Sequence, residues 1–191
     1  MYIKKEFIIP ILIGISQKNI EEHLKLYDGY VNNTNTILRL LDDTSIDVYI
    51  RDELSRRFSF EYNGMRNHEY YFSAIKEGPH PHDPSSKLGQ QIIKQWGSYE
   101  TWYSAFITLA KTRGIGWAIL WWDPIEKNLV HNWVDEQQIG HLNSCQYIIG
   151  IDMWEHAYVA DYQPSGKTNY INDYFANINW TYIENHYINF I

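Results

Sequence analysis

The chain has 191 residues, a net charge of −7, 45% hydrophobic and 16% aromatic residues, and a single cysteine. Length and apolar content are enough for a real core and exclude a disordered chain. Acidic residues outnumber basic ones in both halves, which excludes a basic nucleic-acid arm, and Cys145 has no second cysteine to pair with, so it reads as a buried thiol in a reducing, cytoplasmic setting.

Lys4 and Lys5 precede the apolar run from Phe7 to Ile13, but Pro10 interrupts that run and no small-x-small cleavage motif follows. The run is also too short to cross a bilayer. An extended arm packed on the body is expected, with no membrane partner. After Ser16, a suitable N-cap, the residues Ile20, His23, Leu24, Tyr27, Tyr30, Val31, Leu38 and Leu41 recur at helical spacing, as one long helix or two in series. A second helical pattern runs from about Tyr49 to Lys76. The three prolines between Gly78 and Ser85 forbid its continuation. This break divides the chain into an N-terminal arm with an α-helical hairpin, 1–84, and a C-terminal domain, 85–191.

Beyond it, Ser86 to Gln95 and Ser98 to Lys111 read as two amphipathic helices. Trp117 to Trp122, Leu129 to Val134 and Cys145 to Ile151 are aromatic and β-branched runs bounded by turn residues, hence three antiparallel strands. Helices are expected again from Trp154 through Tyr162 and from Asn169 to about Tyr187. The predicted class is α+β: a helical hairpin followed by helices around a three-stranded antiparallel sheet.

The densest chemistry lies in Gly150-Ile151-Asp152-Met153-Trp154-Glu155-His156-Ala157-Tyr158. On a helical turn, the i, i+4 pair Asp152 and His156 would share one face and present a carboxylate and an imidazole to one metal ion. The string resembles the Asp-x-Trp-Glu-His-Ala-Tyr signature of the iron/manganese superoxide dismutases. Asn67-His68, preceded by Gly64 and followed by Tyr70-Tyr71-Phe72, is similar to a second motif of that family. The resemblance runs over nearly the whole chain.

The resemblance implies an enzyme that disproportionates the superoxide anion into dioxygen and hydrogen peroxide, with one Mn or Fe ion per subunit. It also implies His68, Asp152 and His156 as ligands. The first ligand falls in His23 to Asn33, where counting back from Tyr30 gives Glu22 rather than His23. A one-residue slip turns a side chain about 100° around a helix. His23, Tyr27 and Tyr30 nevertheless share a face, so His23 is preferred to Glu22. The histidine that the family carries later in this helix is replaced by Leu26 or Tyr27.

By the same resemblance Tyr30 is the gateway phenol, Trp154 and Trp117 form an aromatic wall, and Gln137, with Gln138 as alternative, is the donor to metal-bound solvent. A glutamine there with glycine at 64 is similar to the manganese pattern. Glu155, His156 and Tyr158 are implied at the interface of a homodimer or tetramer. Lys25 and Lys167 are candidates for drawing in the anion. His80 and His82 read as a solvated loop, His131 and His141 as structural or surface residues, and Gly166-Lys167-Thr168 lacks the glycines of a phosphate loop. Two rival readings keep the fold: a metal-free structural or binding module, and a metalloprotein with altered redox chemistry. The slipped ligand and missing histidine are what favour the first.

Overall fold

The computed structural model describes residues 1–191, the side chain of Pro164 apart. Helices α1 (Gln17–Leu41) and α2 (Val48–Ile75) form the hairpin, followed by α3 (Lys87–Trp96) and α4 (Tyr99–Ala110). Strands β1 (Gly116–Asp123), β2 (Asn128–Asp135) and β3 (Gln146–Asp152) make one antiparallel sheet in the order β2-β1-β3, and α5 (Lys167–Ala176) and α6 (Trp180–Ile188) close the fold. No described helix is long and apolar enough to cross a membrane.

Each of the first four helices starts on a side chain that accepts an otherwise unpaired amide: Ser16 from Asn19, Asp47 from Tyr49, Ser86 from Gly89 and Ser98 from Thr101. The apolar positions of the first pattern are continuous, and α1 is one helix whose inner face buries Ile20, His23, Tyr27, Val31, Thr34 and Ile37. The N-terminal arm packs as expected. Leu12 and Ile15 are buried, Lys5 donates its amide to the Tyr27 hydroxyl at 2.9 Å, and Ile13 exchanges two hydrogen bonds with Asn177.

Strand β1 is central and buried along almost its whole length, which explains its unbroken apolar run. Its first residues position the site, because Trp117 lies opposite Val134 on β2 and Asp152 on β3. One core joins both halves: Met65, Tyr71 and Phe72 of α2 pack with residues of the sheet and of α5, and Tyr71 stacks on Tyr174 at 4.9 Å.

Two predicted helices differ from the structure. The segment expected as a helix from Trp154 to Tyr162 is a single 3₁₀ turn, Glu155–Ala157, followed by turns. The Asp152 carboxylate accepts the Trp154 amide at 2.8 Å, so the chain turns as it leaves β3 instead of entering an α-helix. The expected helix from Asn169 to Tyr187 is broken into α5 and α6 at Asn177–Asn179. There the backbone pairs elsewhere: Asn179 donates to Ala74, the His80 amide to Ile178, and the Trp180 amide to His80. Asn179 then caps α6 by accepting from Tyr182.

Candidate metal centre

His23 of α1, His68 of α2, Asp152 at the end of β3 and His156 in the 3₁₀ turn converge, each offering one ligand atom within 4.8 Å of all the others. The Asp152 Oδ2 atom lies 3.2 Å from Nε2 of His23, 3.5 Å from Nε2 of His68 and 3.1 Å from Nε2 of His156. Bonds of about 2.0–2.2 Å from N and O ligands to one ion would leave adjacent ligand atoms roughly 3.0–3.6 Å apart. The four side chains therefore fit around a single ion. His23, His68 and Asp152 are fully buried, and His156 keeps its side chain 21% exposed.

Each ligand atom is aimed by a local cause. His68 Nδ1 donates to the carbonyl of Gly64, one turn earlier in α2, at 2.6 Å, which fixes the tautomer and leaves Nε2 with a free lone pair. That Nε2 is buried without a hydrogen-bond partner, a cost that an ion would remove. Asp152 turns one oxygen to the Trp154 amide and the other to the three imidazoles. The sequence places Asp152 and His156 four residues apart, but a strand end and a 3₁₀ turn bring them together, not an α-helix.

Burial drives the pKa of His68 down to about 3 and lowers that of His23, so both rings are neutral near pH 7, as ligation requires. Burial by itself would raise the Asp152 carboxyl. The adjacent His156 and His23 outweigh it and hold the group well below the usual carboxylate range. The set of three imidazoles and one carboxylate suits Fe or Mn rather than a thiolate-bound structural zinc.

Glu22 is exposed and pairs with Lys25 at 2.7 Å, so His23 and not Glu22 points into the cluster. Tyr27 turns its hydroxyl to Lys5 and Glu69, and Leu26 is 42% exposed, so neither replaces the absent histidine at the site. Gln137 is fully buried. An indole N–H can only donate, so Trp117 Nε1 meets Gln137 Oε1 at 2.9 Å and directs the amide nitrogen to the Tyr30 hydroxyl at 3.0 Å. Gln138 instead accepts from the Gln137 amide.

Gly64 is required by packing, since a Cβ there would lie 2.4 Å from the Tyr30 ring. Trp117 meets His68 edge-on at 5.2 Å, and Trp154 stacks on His156 at 5.8 Å while donating to the Glu136 carbonyl. The resulting wall shields the cluster. On the outer side of Tyr30 lies a surface depression of about 320 Å³ whose lining includes Tyr30, Lys25, Phe60 and Arg57. Sequence reasoning missed Arg57, whose guanidinium lies 3.8 Å over the Phe60 ring and pairs with the buried Glu61; only its i, i+4 spacing to Glu61 marked it. Lys167 lies outside this lining, donating to Thr112 over the Trp133 ring.

A buried cluster of three histidines and one aspartate between a helical hairpin and a three-stranded sheet defines a mononuclear metalloprotein of α+β class. Residues 84–186 match the family described as iron/manganese superoxide dismutases, C-terminal domain. The chain belongs to the iron/manganese superoxide dismutase family. It is 33% identical over 178 residues to "Superoxide dismutase [Fe]" of Aquifex aeolicus, covering 88% of this chain and 82% of that one. It is 30% identical over 169 residues to "Superoxide dismutase [Fe]" of Pyrobaculum aerophilum, covering 85% and 78%. With "Superoxide dismutase [Mn]" of Chlamydia trachomatis it shares 29% identity over 174 residues, covering 87% and 83%.

Proposed function

We propose that the chain disproportionates superoxide at one iron or manganese ion held by His23, His68, Asp152 and His156. The observation that carries this is the convergence of three Nε2 atoms on one Asp152 oxygen, with His68 Nε2 buried and otherwise unpaired. When bound, the ion supplies the one-electron chemistry by which two superoxide anions and two protons become dioxygen and hydrogen peroxide.

The protein's own groups shape the rest. With a bound Fe or Mn ion, a single carboxylate among three imidazoles would leave positive charge uncompensated, which would attract an anion. The Tyr30 oxygen accepts from Gln137, so its own proton is free to be donated toward the centre. Burial first, then the nearby Asp152 and Glu61 charges, push the Tyr30 pKa well above its ordinary value and keep that proton in place. Gln137 is anchored through Trp117, and Trp154 limits access of bulk water.

Manganese is the ion favoured here, on Gln137 and Gly64 together. The metal-free reading rests on the slip of the first ligand and on the missing histidine; the buried position of His23 beside Asp152 supports ligation there, while no residue takes the place of the missing histidine. Cys145 is unpaired, in keeping with a reducing, cytoplasmic compartment. The assembly read here is a two-fold dimer, or a tetramer built from it, with Glu155 accepting from His156 of the partner subunit. Glu155 is exposed beside His156, whose Nε2 faces its own Asp152. Tyr158, stacked on Tyr170 and 6% exposed, offers that interface only an edge.

Metal analysis and a superoxide assay on protein purified without added metal test the function. About one Mn or Fe per chain with dismutation is expected, and a folded, metal-free, inactive protein that no added Mn or Fe restores would overturn it. Sedimentation of Glu155→Ala tests the assembly, with a shift toward monomer expected.

A further inference from the structure

We infer that His141 is a positioning residue of the site, clamping the peptide of Gln137 so that the glutamine side chain meets Trp117 and Tyr30 at once. This deepens the dismutase reading and rests on it for the effect on turnover. Gln137 sits in the tight reversal after β2, where Asp135 and Ile139 exchange backbone hydrogen bonds and Glu136 has a φ of 52°. Neither a helix nor a strand fixes its peptide. Its carbonyl instead receives two side-chain donors, Asn67 Nδ2 and His141 Nε2, both at 3.1 Å.

The two donors have different origins. Asn67 precedes His68 on α2 and ties the loop to the helical half, whereas His141 lies four residues past Gln137 and ties the exit of the loop to its tip. A carbonyl only accepts, so His141 Nε2 carries its proton, and the ring is held edge-on against Trp121 at 5.2 Å. The ring also lines a cavity of about 210 Å³ together with Asn67 and Cys145, which leaves it half-buried and not a free surface histidine.

Removing His141 leaves the Gln137 carbonyl satisfied by Asn67, so the fold keeps its core while the loop gains freedom. That separates positioning from general stability. His141→Leu removes the donor at similar size, and His141→Gln puts an amide N–H the same number of bonds from the backbone. Hydrogen–deuterium exchange by mass spectrometry on the purified full chain, read at residues 134–142, is combined with metal content and turnover. In His141→Leu, exchange about tenfold faster and confined to this segment is expected, with unchanged metal content and turnover lower by about tenfold. His141→Gln should restore both. Wild-type exchange and turnover in His141→Leu, loosening spread over the whole chain, or a His141→Gln variant no better than His141→Leu would each overturn the inference. The exchange measurement does not depend on activity, so a wild-type chain without dismutation would sink the functional reading and leave the clamp to be decided by the loop.

Discussion

The helical half and the sheet half each contribute two members of the metal cluster, but they hold them by different means. His23 and His68 project from the interior of two long helices, where the inner face and the close approach of Gly64 to Tyr30 set their direction. Asp152 and His156 leave a strand end through a short turn, held by single hydrogen bonds such as that from the Trp154 amide. Packing is distributed over many contacts, whereas a turn depends on a few. The helical members should therefore respond to bulk and burial, and the sheet members to deletion of one polar group.

The largest effect is expected from Asp152→Ala. One oxygen of this residue faces all three imidazoles, so metal affinity should fall by more than about 100-fold, beyond the 10- to 100-fold typical of groups outside the ligand set. Metal analysis after dialysis checks this, and near-stoichiometric metal would break the comparison at its centre.

Acid should act next, through the helical half. His68 titrates near 3 in the folded chain against about 6.5 when unfolded, so between these values the unfolded state binds more protons and stability rises with pH. Stability of the metal-free chain should accordingly fall as pH drops from about 6.5 to about 3. Denaturant titrations across that window should show a weaker slope in His68→Phe, which has no imidazole to protonate.

Gln137→Ala should retain metal and lower turnover by about 10- to 100-fold, because the residue orders Tyr30 and is not in the ligand cluster. Metal content and rate measured on the same sample separate the two. Gly64→Ala forces a methyl into the Tyr30 ring and should cost about 1–3 kcal/mol in thermal or denaturant unfolding. Gly29→Ala in α1 is the smallest and has the opposite sign. Its Cβ meets nothing within 4 Å, so the helix should gain about 1 kcal/mol. Equal effects at the two glycines would refute packing as the control of the helical half.

The hairpin, the Ser16 cap and the three strands were legible in the sequence because they follow local rules: Ser16 caps where a periodic apolar run begins, and β1 is a continuous buried run. The four cluster residues and Gln137 were legible only as motif matches, with His23 and Glu22 still competing. Helix periodicity alone did not resolve that pair. The neighbours of the inner face did: His23 fits against His68, Tyr71 and Phe72 at 4.9–5.0 Å, while Glu22 reaches Lys25 in solvent.

The C-terminal segments were misread for a related reason. Trp154 to Tyr162 has helical composition, but Asp152 accepts the Trp154 amide, and at Asn177–Asn179 backbone groups pair with Ala74 at the end of α2 and His80 in the proline-rich loop. His141 carried no local signal of a role and Arg57 only its i, i+4 spacing to Glu61, since each acquires its place through groups brought near by folding: the Gln137 carbonyl for one, the depression that Tyr30 lines for the other. Sequence by itself determined where elements form and which residue types can ligate a metal, because both depend on spacing of a few residues and on side-chain chemistry. Tertiary structure decided which of those groups share one small volume, because convergence of α1, α2 and β3 depends on packing between segments more than 40 residues apart in the chain, where local propensity has no reach.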